Sequence, residues 1–187
     1  MGGAGSVGLV SATALGLTLL LAGAAKARDA RPLGLFLDAL GAGPRVSRAL
    51  RVAAPVAELL VGACLMAGVA PRVAAAAAVL LGAAFAGTLA LATLRGVAQP
   101  CRCFGALDRA ASHRVALARA LVVLGGAVVA LAAALVEPAA PAAASSWAAR
   151  AVGCALFVCC VVAFTLLGEV AAFRAGVRRE LDRGQAR

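Results

Sequence analysis

Residues 73–94 read VAAAAAVLLGAAFAGTLALATL, a run with no charged residue. About 20 mostly apolar residues cross the hydrocarbon core of a bilayer as a helix. A run this long and uniform points to a transmembrane helix rather than a buried core strand or helix. The rest of the chain agrees. Of its 187 residues 64% are hydrophobic, well above the roughly half expected of a soluble domain, and mean hydropathy is +1.00. In lipid each span must satisfy its own backbone hydrogen bonds, which favours helices. The expected fold is therefore all-α: a polytopic membrane helical bundle.

Working outward from this stretch, Pro71-Arg72 marks a tight turn, and a second apolar run lies before it, over about 52–70 with Glu58 inside it. Before that, residues 27–51 are charged and hold Pro32, Gly41, Gly43 and Pro44; within them LGLFLDAL (33–40) suits a short helix at the membrane interface. Residues 2–25 are uncharged and end at Lys26. The small residues of LAGAAKA (21–27) would suit a cleavage site, but no basic residue precedes the run as in a signal peptide. This run reads as a transmembrane helix over about 6–26. C-terminal to residue 94, a polar loop (95–114) leads to a further span over about 115–136, carrying Arg119 near its start. Residues 1–136 thus form a four-helix membrane domain. EPAAPAAASS (137–146) is a Pro/Ala/Ser linker. A fifth transmembrane helix is expected over 147–172, followed by a basic tail, 173–187.

The formal net charge is +10. In a soluble protein such a balance would suggest nucleic acid. Here the charges cluster between apolar runs, as in membrane loops, so the expected partner is the lipid bilayer and not nucleic acid. With five spans, fifteen Lys/Arg fall on one side, in the loops after the first and third spans and in the tail, and only Arg72 and Arg150 on the other. The positive side stays cytoplasmic. The expectation is a multi-pass protein of the cytoplasmic membrane, N-terminus outside and C-terminus inside.

Several ionisable residues share one depth near that cytoplasmic face. Glu58 is about six residues into its span, roughly 9 Å at 1.5 Å per residue. Arg119 enters from the same face, Lys26 ends the first span there with Asp29 just beyond, and Glu169 ends the fifth. Ionisable groups inside a membrane are costly and usually face the bundle interior in pairs. The expected pairs are Glu58 with Arg119, and Lys26 with Asp29 or Glu58. Lys26 and Arg119 are also shallow enough to snorkel to the interface, whereas Glu58 is shorter and deeper.

Of six cysteines, Cys64, Cys154, Cys159 and Cys160 fall in spans, where cysteine serves as a small apolar residue. Cys101 and Cys103 differ. They sit in PCRCFGALD (100–108), a polar loop, with Arg102 between them. Residues two apart reach disulfide distance only where the backbone bends, and Pro100 and Gly105 favour a bend. Strained disulfides are the exchangeable ones, and Arg102 and Arg95 favour the thiolate, the reactive form. This suits a redox dithiol. Two thiolates also suit Zn or Cu(I), but a closed zinc site takes four ligands. His113 is the single histidine and no fourth ligand is evident, so no metal is expected.

The order of these features is more specific than any one of them. AKARD (25–29) ends the first span, PVAELLVGACLM (55–66) holds the glutamate, CRCFG (101–105) follows the third span, and Arg119 lies in the fourth. Over residues 6–136 this resembles the MauE family of methylamine utilisation, within the wider DoxX-like group. The family pattern carries over to Lys26, Asp29, Glu58, Gly62, Cys101, Cys103, Phe104, Gly105 and Arg119. The resemblance implies a four-helix membrane core. It also implies a part in the processing, export or maturation of the disulfide-rich small subunit of periplasmic methylamine dehydrogenase; relatives are described as redox-associated membrane proteins. The charge bias puts the cysteine loop on the cytoplasmic side of a periplasmic task. Electrons crossing through a partner or a quinone, a loop folded back into the membrane, or the opposite topology would each reconcile the two.

Two functional readings follow. In the first, Cys101 and Cys103 are a thiol–disulfide redox pair, with Glu58, Arg119, Lys26 and Asp29 positioning the loop or managing a proton, a periplasmic client protein, and a thioredoxin-like protein or a quinone as electron partner. In the second, the bundle is a non-catalytic assembly factor with structural cysteines. A transporter is disfavoured by the lack of inverted repeats or paired broken helices. No nucleotide, haem or flavin motif is present.

Overall fold

The computed structural model describes residues 3–97, 113–136, 151–155 and 158–159. The described residues are helical apart from short turns, in the order α1 (Gly3–Arg28), α2 (Arg31–Ala39), α3 (Pro44–Ala67), α4 (Pro71–Leu94) and α5 (His113–Val136). Four of these, all but α2, are long and apolar enough to cross a membrane. The chain is a multi-pass helical membrane protein, as its apolar runs require. Residues 151–155 and 158–159, inside the expected fifth span, are helical too. The linker, the tail and the rest of that span lie outside the described residues.

The helix limits follow from local chemistry. Proline occupies the first turn of α2, α3 and α4, where its missing N–H is no loss. α3 stops at Gly68, which takes the left-handed conformation (φ 68°) while the Val69 N–H bonds back to the Cys64 carbonyl at 3.0 Å. Ala70 is left-handed as well (φ 44°), a strained conformation for a residue with a Cβ. α3 starts eight residues before the span expected from hydropathy. Arg45, Arg48 and Arg51 interrupt the apolar run but not the helix; Arg45 and Arg48 are exposed and Arg51 is half-buried. Pro55 lies within α3 without ending it.

Lipid offers no hydrophobic drive for helix association, so close backbone approach through small residues takes its place. At the α1–α3 crossing a Cβ on Gly62 would stand 2.9 Å from the Gly16 carbonyl oxygen, and one on Gly23 would stand 3.0 Å from that of Pro55. Gly8 meets Ala133 of α5, and Gly82 of α4 abuts Leu124 of α5. The packed interior is rich in alanine. One cluster joins Leu15, Leu19 and Leu65 to Ala74, Ala75, Ala78, Ala127 and Ala130. Bulkier side chains such as Leu60, Val73, Leu80 and Leu135 point outward, the pattern of a surface solvated by acyl chains.

α2 is the amphipathic piece expected within 33–40. Leu33, Phe36 and Leu37 are buried. Phe36 and Leu40 pack with Leu89 and Ala92 of α4 and Ala116 and Ala120 of α5. Arg95, just past α4, donates to the Leu40 carbonyl at 2.8 Å, and Arg51 of α3 reaches Asp38 at 3.4 Å in an exposed pair. α2 thereby caps the end of the bundle at which α1 and α4 finish and α3 and α5 begin.

Candidate functional site

At that end the bundle holds a charged cluster. Lys26 is two residues from the end of α1 and Glu58 lies in the interior of α3. Gly23, one turn before Lys26, lets the helices approach until its Cα side faces the Glu58 Cβ. Across this contact Lys26 Nζ donates to Glu58 Oε1 in a buried salt bridge. The ammonium also sits 4.2 Å from the centroid of the Phe85 ring of α4, within the range of cation–π attraction. Lys26 therefore ties three helices together. Its side chain turns inward and does not snorkel.

A cleft opens beside the pair. It contains about 570 Å³ of empty space, its mouth included, and is walled by α1, α3, α4 and α5. Leu19, Leu81, Leu89 and Val123 supply apolar walls; Lys26, Glu58, Arg119 and Thr18 supply the polar atoms. Arg119 is 8% exposed. Glu58 Oε2 is buried and accepts no hydrogen bond among the described residues, so the carboxylate keeps one bare acceptor.

Three of the expected residues thus come together: Lys26, Glu58 and Arg119 line one cleft. Of the partners open to Lys26, Glu58 is the one it takes. Asp29 is exposed and instead accepts the Arg31 N–H at 3.1 Å, bracing the start of α2. Cys101, Cys103, Glu169 and the His113 side chain lie outside the described residues. The segment that carries the two cysteines follows Val97, three residues past the end of α4, and leads into α5 at His113, and Val97 packs against the Phe36–Leu89 cluster. Both anchors of that segment are therefore at the α2-capped end. Cys64 is half-buried against the alanine-rich cluster, while Cys154 and Cys159 are exposed on the outer surface.

Sequence reasoning missed Phe85, Thr18 and the cleft itself. Phe85 is the single aromatic residue of α4, a signal that was available. Gly153 also packs closely on α1, where a Cβ would stand 2.8 Å from that of Thr13.

No curated protein and no solved structure matches the chain. One family model does, described as methylamine utilisation protein MauE and covering residues 5–133. That span takes in α2–α4, all but the first two residues of α1 and the last three of α5, and every residue of the cluster, and it ends before the helical piece at 151–155. The chain belongs to the MauE family.

Proposed function

We propose that this protein is a redox-associated membrane protein that carries out thiol–disulfide exchange through Cys101 and Cys103, in support of the maturation or export of a disulfide-containing client. The observation that carries the reading is the buried Lys26–Glu58 pair with Arg119, set at the end of the bundle where the cysteine-bearing segment is anchored. Membrane-buried charges are expensive, and a cluster of three around a cleft exceeds what helix association needs, since glycine and alanine contacts already supply it.

The exchange balances as follows. A client thiolate attacks one sulfur of the Cys101–Cys103 disulfide, forming a mixed disulfide and releasing the other cysteine as a thiolate. The second client thiol then displaces the first cysteine, leaving an oxidised client and a reduced pair. Two electrons and two protons pass on to a quinone or to the disulfide of a thioredoxin-like partner, which restores the cycle. In this reading Lys26, Glu58 and Arg119, at the same end of the bundle as the segment's anchors, manage those protons, and Asp29, which accepts from the Arg31 N–H, positions α2. The positive-inside bias supports a cytoplasmic-membrane protein with the N-terminus outside, so a periplasmic client reaches the pair through a loop folded back into the membrane or through a partner that carries the electrons across. The resemblance to the MauE family is what suggests a client like the methylamine dehydrogenase small subunit.

Replacing Cys101 and Cys103 together by serine tests the reading. Loss of client disulfide formation at unchanged protein level supports it. Loss of the protein itself would favour the assembly-factor reading, in which the two cysteines are a structural clip.

A further inference from the structure

The two faces of α3 carry different chemistry. Its inner stripe runs through Ser47, Arg51, Pro55, Glu58, Gly62 and Leu65, at the three- and four-residue spacing of one helix face. All of these are buried except the half-buried Arg51. Arg51 still turns toward α2: a Cβ on Gly34 would collide with its guanidinium, and the same group reaches Asp38. The outer stripe begins with Arg45 and Arg48 and continues through Val52, Val56 and Leu60. Both arginines are exposed and make no ion pair among the described residues. Val52 is 65% exposed, Val56 48% and Leu60 62%.

Two cations thus stand at the head of an apolar strip on one helix face. Residues three apart on a helix have Cβ atoms about 5–6 Å apart, so both guanidinium groups can reach one phosphate. Val52, the first residue of the strip, follows Arg48 by about 6 Å of helix rise, which sets the arginines at the depth where headgroups meet hydrocarbon. A zwitterionic headgroup brings its own cation beside the phosphate, and two arginines disfavour it. An acidic peptide would lie in water and make no use of the apolar strip. A lipid with a net negative headgroup satisfies both halves. We propose that the outer face of α3 binds an anionic phospholipid, its phosphate held between Arg45 and Arg48 and an acyl chain lying along Val52, Val56 and Leu60. Arg51 ties the same turns of α3 to α2, so a lipid held there braces the α2-capped end of the bundle. The site is independent of the redox reading and does not rest on it.

The test uses the full chain in phosphatidylcholine nanodiscs doped with a photoactivatable phosphatidylglycerol. The expected result is saturable labelling of the outer face of α3, competed by unlabelled phosphatidylglycerol and not by added phosphatidylcholine. An arginine beside an anionic headgroup contributes roughly fivefold in affinity, so Arg45→Gln/Arg48→Gln should weaken labelling about 25-fold. Arg72→Gln removes a positive charge at the opposite end of the bundle and should leave the labelling of α3 unchanged. Competition by phosphatidylcholine as strong as by phosphatidylglycerol, label spread evenly over all the helices, or a double variant that labels like the parent would each overturn the proposal. If the double variant fails to fold, the competition and the label positions in the parent protein decide the matter alone.

Discussion

Lys26 and Glu58 lie 32 residues apart in the chain and meet across the α1–α3 interface, with side chains 4% and 3% exposed. Neither charge has water to fall back on, so each depends on the other. Removing one partner of a buried pair leaves an uncompensated charge and costs about 3–5 kcal/mol, whereas replacing both can be nearly neutral. Lys26→Met and Glu58→Leu should each lower the thermal midpoint of the detergent-solubilised protein sharply. The Lys26→Met/Glu58→Leu double variant should recover most of the loss. Additive losses would show that the pair is not coupled.

The α1–α3 crossing depends on the absence of side chains at two points. Gly62→Leu forces its side chain into the Gly16 carbonyl and the Leu20 backbone, and overpacking of this kind costs about 1–3 kcal/mol. Gly87 of the neighbouring helix faces open space, so Gly87→Ala should be neutral or stabilising by up to about 1 kcal/mol through helix propensity. Thermal unfolding of the two variants, side by side, should show shifts of opposite sign or one near zero.

The outward face should behave as a lipid contact. Leu80, near the middle of α4, is 72% exposed. In hydrocarbon an arginine there costs about 2.5–3.5 kcal/mol for insertion, while in water the change would be close to neutral. A membrane-insertion assay of Leu80→Arg should therefore show a marked drop in correctly inserted chain. Thr88 makes a useful contrast: its hydroxyl donates to the Phe85 carbonyl at 2.9 Å within the same helix, so Thr88→Val should insert as well as the parent.

The turn between α3 and α4 carries local strain. A left-handed alanine costs roughly 1–2 kcal/mol relative to the right-handed region, and Ala70 holds φ 44°. Ala70→Gly relieves this at some cost in unfolded-chain entropy, so it should be neutral to stabilising. Ala70→Val should destabilise by at least 1 kcal/mol, roughly the cost of a strained residue. Denaturant unfolding of the pair checks the order.

Much of this was legible in the sequence because the membrane simplifies the code. Uninterrupted apolar runs mark α1, α4 and α5 within a few residues of their ends, and the short Glu58 side chain, deep in a span, had to face inward. The start of α3 was not legible in that way, since hydropathy reports where lipid ends and not where a helix begins; Arg45, Arg48 and Arg51 mark the first boundary and Pro44 the second. The choice of Glu58 over Asp29 as the Lys26 partner rests on the rotation of α1 against α3, which Gly16, Gly23 and Gly62 fix jointly. A single chain cannot show such a relation between helices. The cleft is a property of four helices at once, and Phe85 acquires its place over Lys26 only when α4 closes on α1.

The central claim is that Cys101 and Cys103 cycle between dithiol and disulfide at the end of the bundle that holds Lys26, Glu58 and Arg119. It is tested most directly by labelling intact cells and lysates with a high-mass, membrane-impermeant maleimide, in a variant retaining only these two cysteines. The account predicts that the pair is protected in intact cells, labels after lysis only when a reductant has been added first, and returns to the protected state when decylubiquinone is supplied to reduced membranes. A pair that labels fully after lysis without reductant, and stays labelled whatever oxidant is offered, would contradict it.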